Sequence, residues 1–231
     1  MIDIRRFEDL GHFENEWLNA NYHFSFSGYR DPARMGAGAL RVWNDDTIQP
    51  GTGFPPHGHE NMEIITYVRK GAITHKDSLG NQGRTEAGNV QIMSAASGIQ
   101  HAEWNAEPTM TQLFQLWIAP DSIGGTPSWG MREFPTQNRA GEWALFASGS
   151  GEEGSLKIRQ NSKVLGAMLE TGQSLDYVID AQRHGYLVLA DGEVRLNGDR
   201  LKARDGAHIY GRDTLEIEAL TDAELVLVDT I

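Results

Sequence analysis

Apolar residues along this chain gather in short stretches that stop at turn formers. Glu63-Ile-Ile-Thr-Tyr-Val68, Val90-Gln-Ile-Met93, Leu113-Phe-Gln-Leu-Trp-Ile118, Tyr186-Leu-Val-Leu189 and Leu225-Val-Leu-Val228 are rich in β-branched and aromatic residues, and each is bounded by Gly, Asp, Asn or Pro. Helix signals are few. The pattern predicts an all-β protein of short strands and tight turns, arranged as a barrel or sandwich, and 26 glycines suit that many turns. From Pro120 to Gly154 the composition shifts to Gly, Pro, Ser and Glu with isolated Trp129, Phe134 and Trp143, as expected of a long connection between two units. The predicted division is residues 1–150 and 151–231.

A faint internal repeat supports two related halves. Tyr67-Val-Arg-Lys-Gly71 precedes Gly88-Asn-Val-Gln-Ile-Met93, much as Leu187-Val-Leu-Ala-Asp-Gly192 precedes Gly206-Ala-His-Ile-Tyr210. Laying Gly192 over Gly71 puts Val178 and Asp180 where His57 and His59 stand. Laying Gly206 over Gly88 puts Ala219 opposite His101. A duplicated barrel with one metal site, in the first half, is the simplest expectation.

The chemistry begins with those histidines. Residues i and i+2 of a strand project from the same face, so His57 with His59 and His101 with Glu103 offer three nitrogens and one oxygen if their strands face each other. Cysteine is absent, which leaves His and carboxylate as the ligands for any metal and removes disulfides and thiolate chemistry. An isolated His-x-His pair is more often structural; it is the second pair at matching spacing that favours a metal. His12, His23, His75, His184 and His208 have no partner at ligand spacing and are expected on the surface or in packing.

The 231 residues, 39% hydrophobic and 23% charged, suffice for a substantial core. A formal charge of −12 disfavours nucleic acid and anionic membranes as direct partners. With no signal-like opening and no apolar run long enough to span a bilayer, a cytoplasmic location is expected.

Gly51-x5-His57-x-His59 with Glu63 and Gly71, then Gly88 and His101-x3-Asn105, resemble the two motifs of cupins. More narrowly, Phe24-Ser-Phe-Ser27, Asp31-Pro32, Ala39-Leu-Arg-Val42, Asn44-Asp-Asp46, Met62-Glu-Ile64, His75-x-Asp77-Ser78, Ile92-Met-Ser-Ala95 and Gly98-Ile-x-His101-x-Glu103-x-Asn105 resemble the pirin family. The likeness is dense from about residue 20 to about residue 120. It implies a bicupin of two jelly-roll-like barrels with an iron-binding first barrel, and in bacterial members quercetin 2,3-dioxygenation. The glutamate slot of ordinary cupins holds Ile64 here, and Glu63, one residue away, should point away from the metal unless a bulge intervenes. Glu103 therefore takes its place as the fourth ligand, as in pirins. Ser94-Ala-Ala-Ser-Gly98 replaces the usual Pro-x-Gly turn and alters the barrel mouth.

Three imidazoles and a carboxylate suit one divalent ion, with Mn, Co, Ni, Cu and Zn open and iron(II) favoured by the resemblance. The expected reaction is dioxygenation of a flavonol, with O₂ as co-substrate, carbon monoxide as a product and Glu103 as both ligand and general base. Phe24, Phe26, Trp43 and Trp104 are candidates for an aromatic pocket, although core packing is the default for each. Asn105 is expected to stabilise a turn. The alternative, also implied by pirins, is a metal-binding protein without turnover that modulates a partner such as a transcription factor or a metabolic enzyme. A cupin isomerase ranks last, because few basic residues lie near the cluster.

Overall fold

The computed structural model describes residues 1–134, 139–211 and 213–231. Its strands are β1 (Ile2–Arg5), β2 (Gly11–Glu14), β3 (Leu18–Tyr22), β4 (Leu40–Ile48), β5 (Gly53–His59), β6 (Glu63–Lys70), β7 (Ala72–Asp77), β8 (Gln82–Glu86), β9 (Val90–Ser94), β10 (Ile99–Trp104), β11 (Thr111–Ile118) and β12 (Ser128–Arg132). They continue with β13 (Ala144–Ser148), β14 (Leu156–Lys157), β15 (Ser162–Leu169), β16 (Ser174–Ile179), β17 (His184–Asp191), β18 (Glu193–Leu196), β19 (Asp199–Lys202), β20 (Gly206–Tyr210), β21 (Asp213–Ala219) and β22 (Ala223–Thr230). Among the described residues the only helices are short 3-10 turns, and none is long and apolar enough to cross a membrane.

The strands form two barrels of the same topology. In the first, the large sheet runs β12-β9-β6-β11-β4-β3-β2 and the small one β5-β10-β7-β8. In the second, the large sheet runs β1-β20-β17-β22-β15-β13-β14 and the small one β16-β21-β18-β19. The order β9-β6-β11-β4 is matched by β20-β17-β22-β15, and β5-β10-β7-β8 by β16-β21-β18-β19. The repeat seen around Gly71 and Gly192 is real at the backbone: both close a strand–turn–strand at positive φ, 75° and 81°, a conformation that favours glycine. The chain's first strand departs from sequence order, because β1 pairs with β20 of the second barrel.

The long connection predicted over residues 120–154 carries two strands; its residues 135–138 lie outside the described residues. β12 adds to the edge of the first large sheet beside β9, and β13 enters the second beside β15. Trp129, on β12, is held over Gly83, where an added Cβ would stand 2.2 Å from its ring. Gly83 thus makes room for an aromatic lid on the first barrel.

The two large sheets pack against each other through their outer faces. Trp43, Phe114, Ile65 and Tyr67 of the first barrel meet Tyr186, Val188, Val226 and Val228 of the second in one buried cluster. Within that apolar layer sits Asp45, fully buried and bound by Arg69 of its own barrel and Arg204 of the other. Strand β4 therefore works on both faces. Trp43 and Asp45 point to the neighbouring barrel, while Asn44 and Asp46 point into their own. Replacing Asp45 by Ala leaves the guanidinium of Arg69, almost wholly buried, without its counter-charge. Breaking such a pair costs about 3–5 kcal/mol, so Asp45→Ala should lower the unfolding free energy by roughly that amount in urea titrations.

Candidate metal centre

The site lies where β5, β10 and β7 run side by side. In the antiparallel pairing of β10 with β5, His101 stands opposite His57 and Ile99 opposite His59. A bulge between His101 and Glu103 then shifts the register, so that Glu103 stands opposite Phe54. On its other edge β10 pairs with β7, which sets His101 across from Asp77 and Glu103 across from His75. Non-local pairing, together with the two-residue period, brings these side chains into the barrel.

One nitrogen from each of His57, His59 and His101 lies within 4.8 Å of the others. The Nε2 atoms of His57 and His101 are 3.1 Å apart. His57 Nδ1 is 2.8 Å from the Pro55 carbonyl oxygen, so it donates its proton there and leaves the Nε2 lone pair facing inward. Burial drives the imidazole pKa of His59 down to about 4 and that of His101 to about 3, with further lowering from the neighbouring imidazoles. Neutral rings with converging lone pairs suit a cation that binds deprotonated nitrogen.

Glu103 is placed with a different trio. The structure does not gather all four sequence-predicted donors into one group of that size; instead His75, His101 and Glu103 form a second group within 4.8 Å. The carboxylate is buried and held from two sides: Gln91 Nε2 donates to Oε1 at 2.7 Å and Gln115 Nε2 donates to Oε2 at 2.8 Å. Gln91 is oriented in turn by the Thr85 hydroxyl at 3.0 Å, and Gln115 by the Trp117 indole N–H at 3.2 Å. Burial raises the Glu103 carboxyl to about 7, against the lowering effect of hydrogen bonds from Gln115, Gln91 and Thr66. Glu63, by contrast, is buried elsewhere, accepts a hydrogen bond from Ser94 at 2.7 Å and joins neither group.

His75 is the residue that sequence reasoning missed. It is fully buried, its ring stacks on Trp129 with centroids 4.9 Å apart, its Nδ1 is 3.5 Å from His101 Nδ1 and its Nε2 is 3.0 Å from Asp77 Oδ2. Asp77, His75 and His101 thus form a chain that fixes the orientation of the His101 ring. The available signal was His75-x-Asp77, a same-face pair on a strand. His23 and Tyr186 make a hydrogen bond between the barrels, and His184 and His208 touch each other on the second barrel. Asn105 is a turn residue, donating to the Ile48 and Thr109 carbonyls and accepting from the Glu107 amide. Phe24 and Trp43 are core, Trp104 is half-buried, and Phe26 lines the pocket.

That pocket holds about 210 Å³, and His57, His59 and Glu103 all line it. Tyr22, Phe26, Phe54 and Trp117 form its apolar sides. The equivalent interior of the second barrel is filled by aliphatic side chains.

The titrations have opposite signs. In metal-free protein His59 and His101 contribute stability fully above the ordinary imidazole value of 6.5, and lose it as pH falls toward about 4 and 3. Glu103 contributes fully below its ordinary value of 4.5 and loses its contribution as pH rises through about 7. Scanning calorimetry of chelator-treated protein should therefore show Glu103→Gln gaining Tm relative to wild type as pH climbs through that window. A pH-independent difference would contradict this account of the carboxyl.

The pirin family model matches residues 4–118, and the model described as a quercetinase C-terminal cupin domain matches residues 145–230. A pirin-like protein of Caulobacter vibrioides is 57% identical over 230 residues, covering 99% of each chain. The quercetin 2,3-dioxygenase of Escherichia coli is 39% identical, covering 99% of this chain and 98% of its own. The crystal structure of the bacterial pirin YhhW of Escherichia coli in complex with nickel(II) superposes with a TM-score of 0.94 at 37% identity, over 100% of this chain and 99% of that one.

Proposed function

The chain belongs to the pirin family, and from that premise we propose that its first barrel holds one divalent metal through His57, His59, His101 and Glu103 and dioxygenates a flavonol such as quercetin. The observation that carries the proposal is the cavity itself. His57, His59 and the held carboxylate of Glu103 line a single aromatic-walled space, and one nitrogen of His101 lies within 4.8 Å of those of His57 and His59. Pirin YhhW, whose fold this chain shares, is a nickel(II) complex in the crystal, and iron(II) is the ion the family resemblance favours for this chain.

A bound metal supplies Lewis acidity and open coordination positions for O₂ chemistry. The protein's own residues do the rest. Phe26, Phe54 and Trp117 give the flat substrate an apolar slot and keep water from it. Glu103 takes the proton of the flavonol 3-hydroxyl on a carboxylate oxygen. Gln91 and Gln115 hold that carboxylate in place throughout. The Asp77–His75 pair keeps the His101 ring from turning. Net, both atoms of O₂ enter the products as the heterocycle opens to an ester and one ring carbon leaves as carbon monoxide.

Metal-free protein loaded with iron(II) under nitrogen, then given quercetin and air, should consume flavonol absorbance and release carbon monoxide in equal amounts. Glu103→Gln should reduce kcat by about 10²–10⁴-fold while largely retaining metal, and Glu63→Gln should behave like wild type. Absence of turnover with every first-row divalent ion would replace this reading with a metal-binding protein that modulates a partner.

A further inference from the structure

The cavity is lined by residues of β3, β4 and β11 as well as by the metal-site residues, and β4 carries two polar groups that the reaction above does not use. Asn44 and Asp46 sit two residues apart on the inward face of β4 and both line the cavity. They are 4% and 2% exposed. Asn44 Oδ1 and Asp46 Oδ1 are both buried without a hydrogen-bond partner among the described residues. Gln115 and Trp117, which also line the cavity, are already committed, since Trp117 donates to Gln115 and Gln115 donates to Glu103.

An acceptor left unpaired inside a barrel costs free energy, and two adjacent ones on a cavity wall need an explanation. Folding does not supply one. On the other face of the same strand Asp45 is fully buried and has two arginines. Ala20 stands directly opposite Asp46 on β3, and so small a side chain leaves space beside the carboxyl. Burial, together with the nearby carboxylates of Asp45 and Glu103, holds the Asp46 carboxyl well above the usual carboxylate range, where it offers both a donor and an acceptor, as a hydroxyl partner requires. No Lys or Arg side chain lines the cavity, so an anionic group is not what this wall receives.

We infer that Asn44 and Asp46 form a recognition subsite for the ring hydroxyls of a polyphenol, in the cavity that His57, His59 and Glu103 also line. The inference rests on the flavonol reading above and adds a substrate class to it. The cavity, at about 210 Å³, is smaller than the roughly 300–1,000 Å³ of pockets that enclose drug-sized ligands. It therefore takes one hydroxylated ring deeply and leaves the remainder of the molecule toward the mouth. Selectivity should follow hydroxylation of the buried ring, since a site with unpaired acceptors discriminates against an analogue that lacks the donor.

The test uses nickel(II)-loaded protein under nitrogen, with quercetin and 3-hydroxyflavone as probes. The second keeps the metal-proximal hydroxyl and carbonyl and lacks the other ring hydroxyls. Affinities are read from quenching of tryptophan fluorescence, to which Trp117 in the wall contributes. Wild type should bind quercetin more tightly by about tenfold or more, the worth of a well-made buried hydrogen bond. Asp46→Leu and, independently, Asn44→Leu should bring the ratio toward one with nickel content unchanged, and Asp46→Leu should raise Tm because it removes a buried carboxyl oxygen that has no partner. A ratio preserved in both variants overturns the inference while leaving the flavonol reading intact. Loss of nickel in Asp46→Leu also overturns it, by assigning Asp46 to the metal. Failure of wild type to bind either flavonol defeats the flavonol reading and this inference together.

Discussion

A barrel interior that excludes water is stable only if nearly all the polar groups it contains are paired, and the first barrel contains many. His57, His59, His75, Gln91, His101, Glu103 and Gln115 point inward where the second barrel places Leu165, Leu187, Leu189, Ile217 and Leu227. The same topology is used twice, once filled with hydrocarbon and once with a polar cluster beside a smaller apolar one. The polar version holds together because its groups are bound to one another in sequence: Thr85 to Gln91 to Glu103, Trp117 to Gln115 to Glu103, and Asp77 to His75 to His101. Networks of this kind are worth having only when nearly every member is paired. Their rigidity is what fixes the imidazoles with their lone pairs converging.

The sequence made much of this legible, for identifiable reasons. Strand content and the duplication follow from local pattern and from the glycines at positions 71 and 192, both at positive φ. The convergence of His57, His59 and His101 follows from the two-residue period plus one assumption, that β5 and β10 are neighbours. What sequence could not supply was the third strand and the bulge. Pairing of β7 with β10 brings His75 to His101 and Glu103, and the register shift after His101 sets Glu103 toward Gln91 and Gln115. Both depend on long-range register, which no local pattern encodes. The same is true of β1, whose partner lies some two hundred residues downstream, and of Trp129, which reads as linker and serves as the stacking partner of His75.

Strand β4 shows how one segment serves two environments. Its odd-numbered positions 43 and 45 build the contact between barrels, and its even-numbered positions 44 and 46 face the cavity. A one-residue slip would exchange the two sets, burying Asn44 and Asp46 between the barrels and turning Trp43 into the pocket. Register here is pinned from both sides, by the Asp45 pairing with Arg69 and Arg204 and by the ladder to β3 and β11.

The second barrel then has a physical role even without a metal cluster of its own among the described residues. A polar barrel buries less apolar surface than a hydrocarbon-filled one of equal size, and apolar burial, at about 25 cal/mol per Å², is the chief favourable term in folding. The aliphatic interior of the second barrel and the aromatic layer between the barrels supply that term for the whole chain. Arg204 reaches across to complete the charge pairing on β4, and Tyr186 hydrogen-bonds His23. With its outer face held by a well-packed neighbour, the first barrel can keep a cavity, unpaired acceptors at Asn44 and Asp46, and a carboxyl near neutrality at Glu103. Each of these weakens an isolated domain, and together they are the features through which the site can act on a ligand.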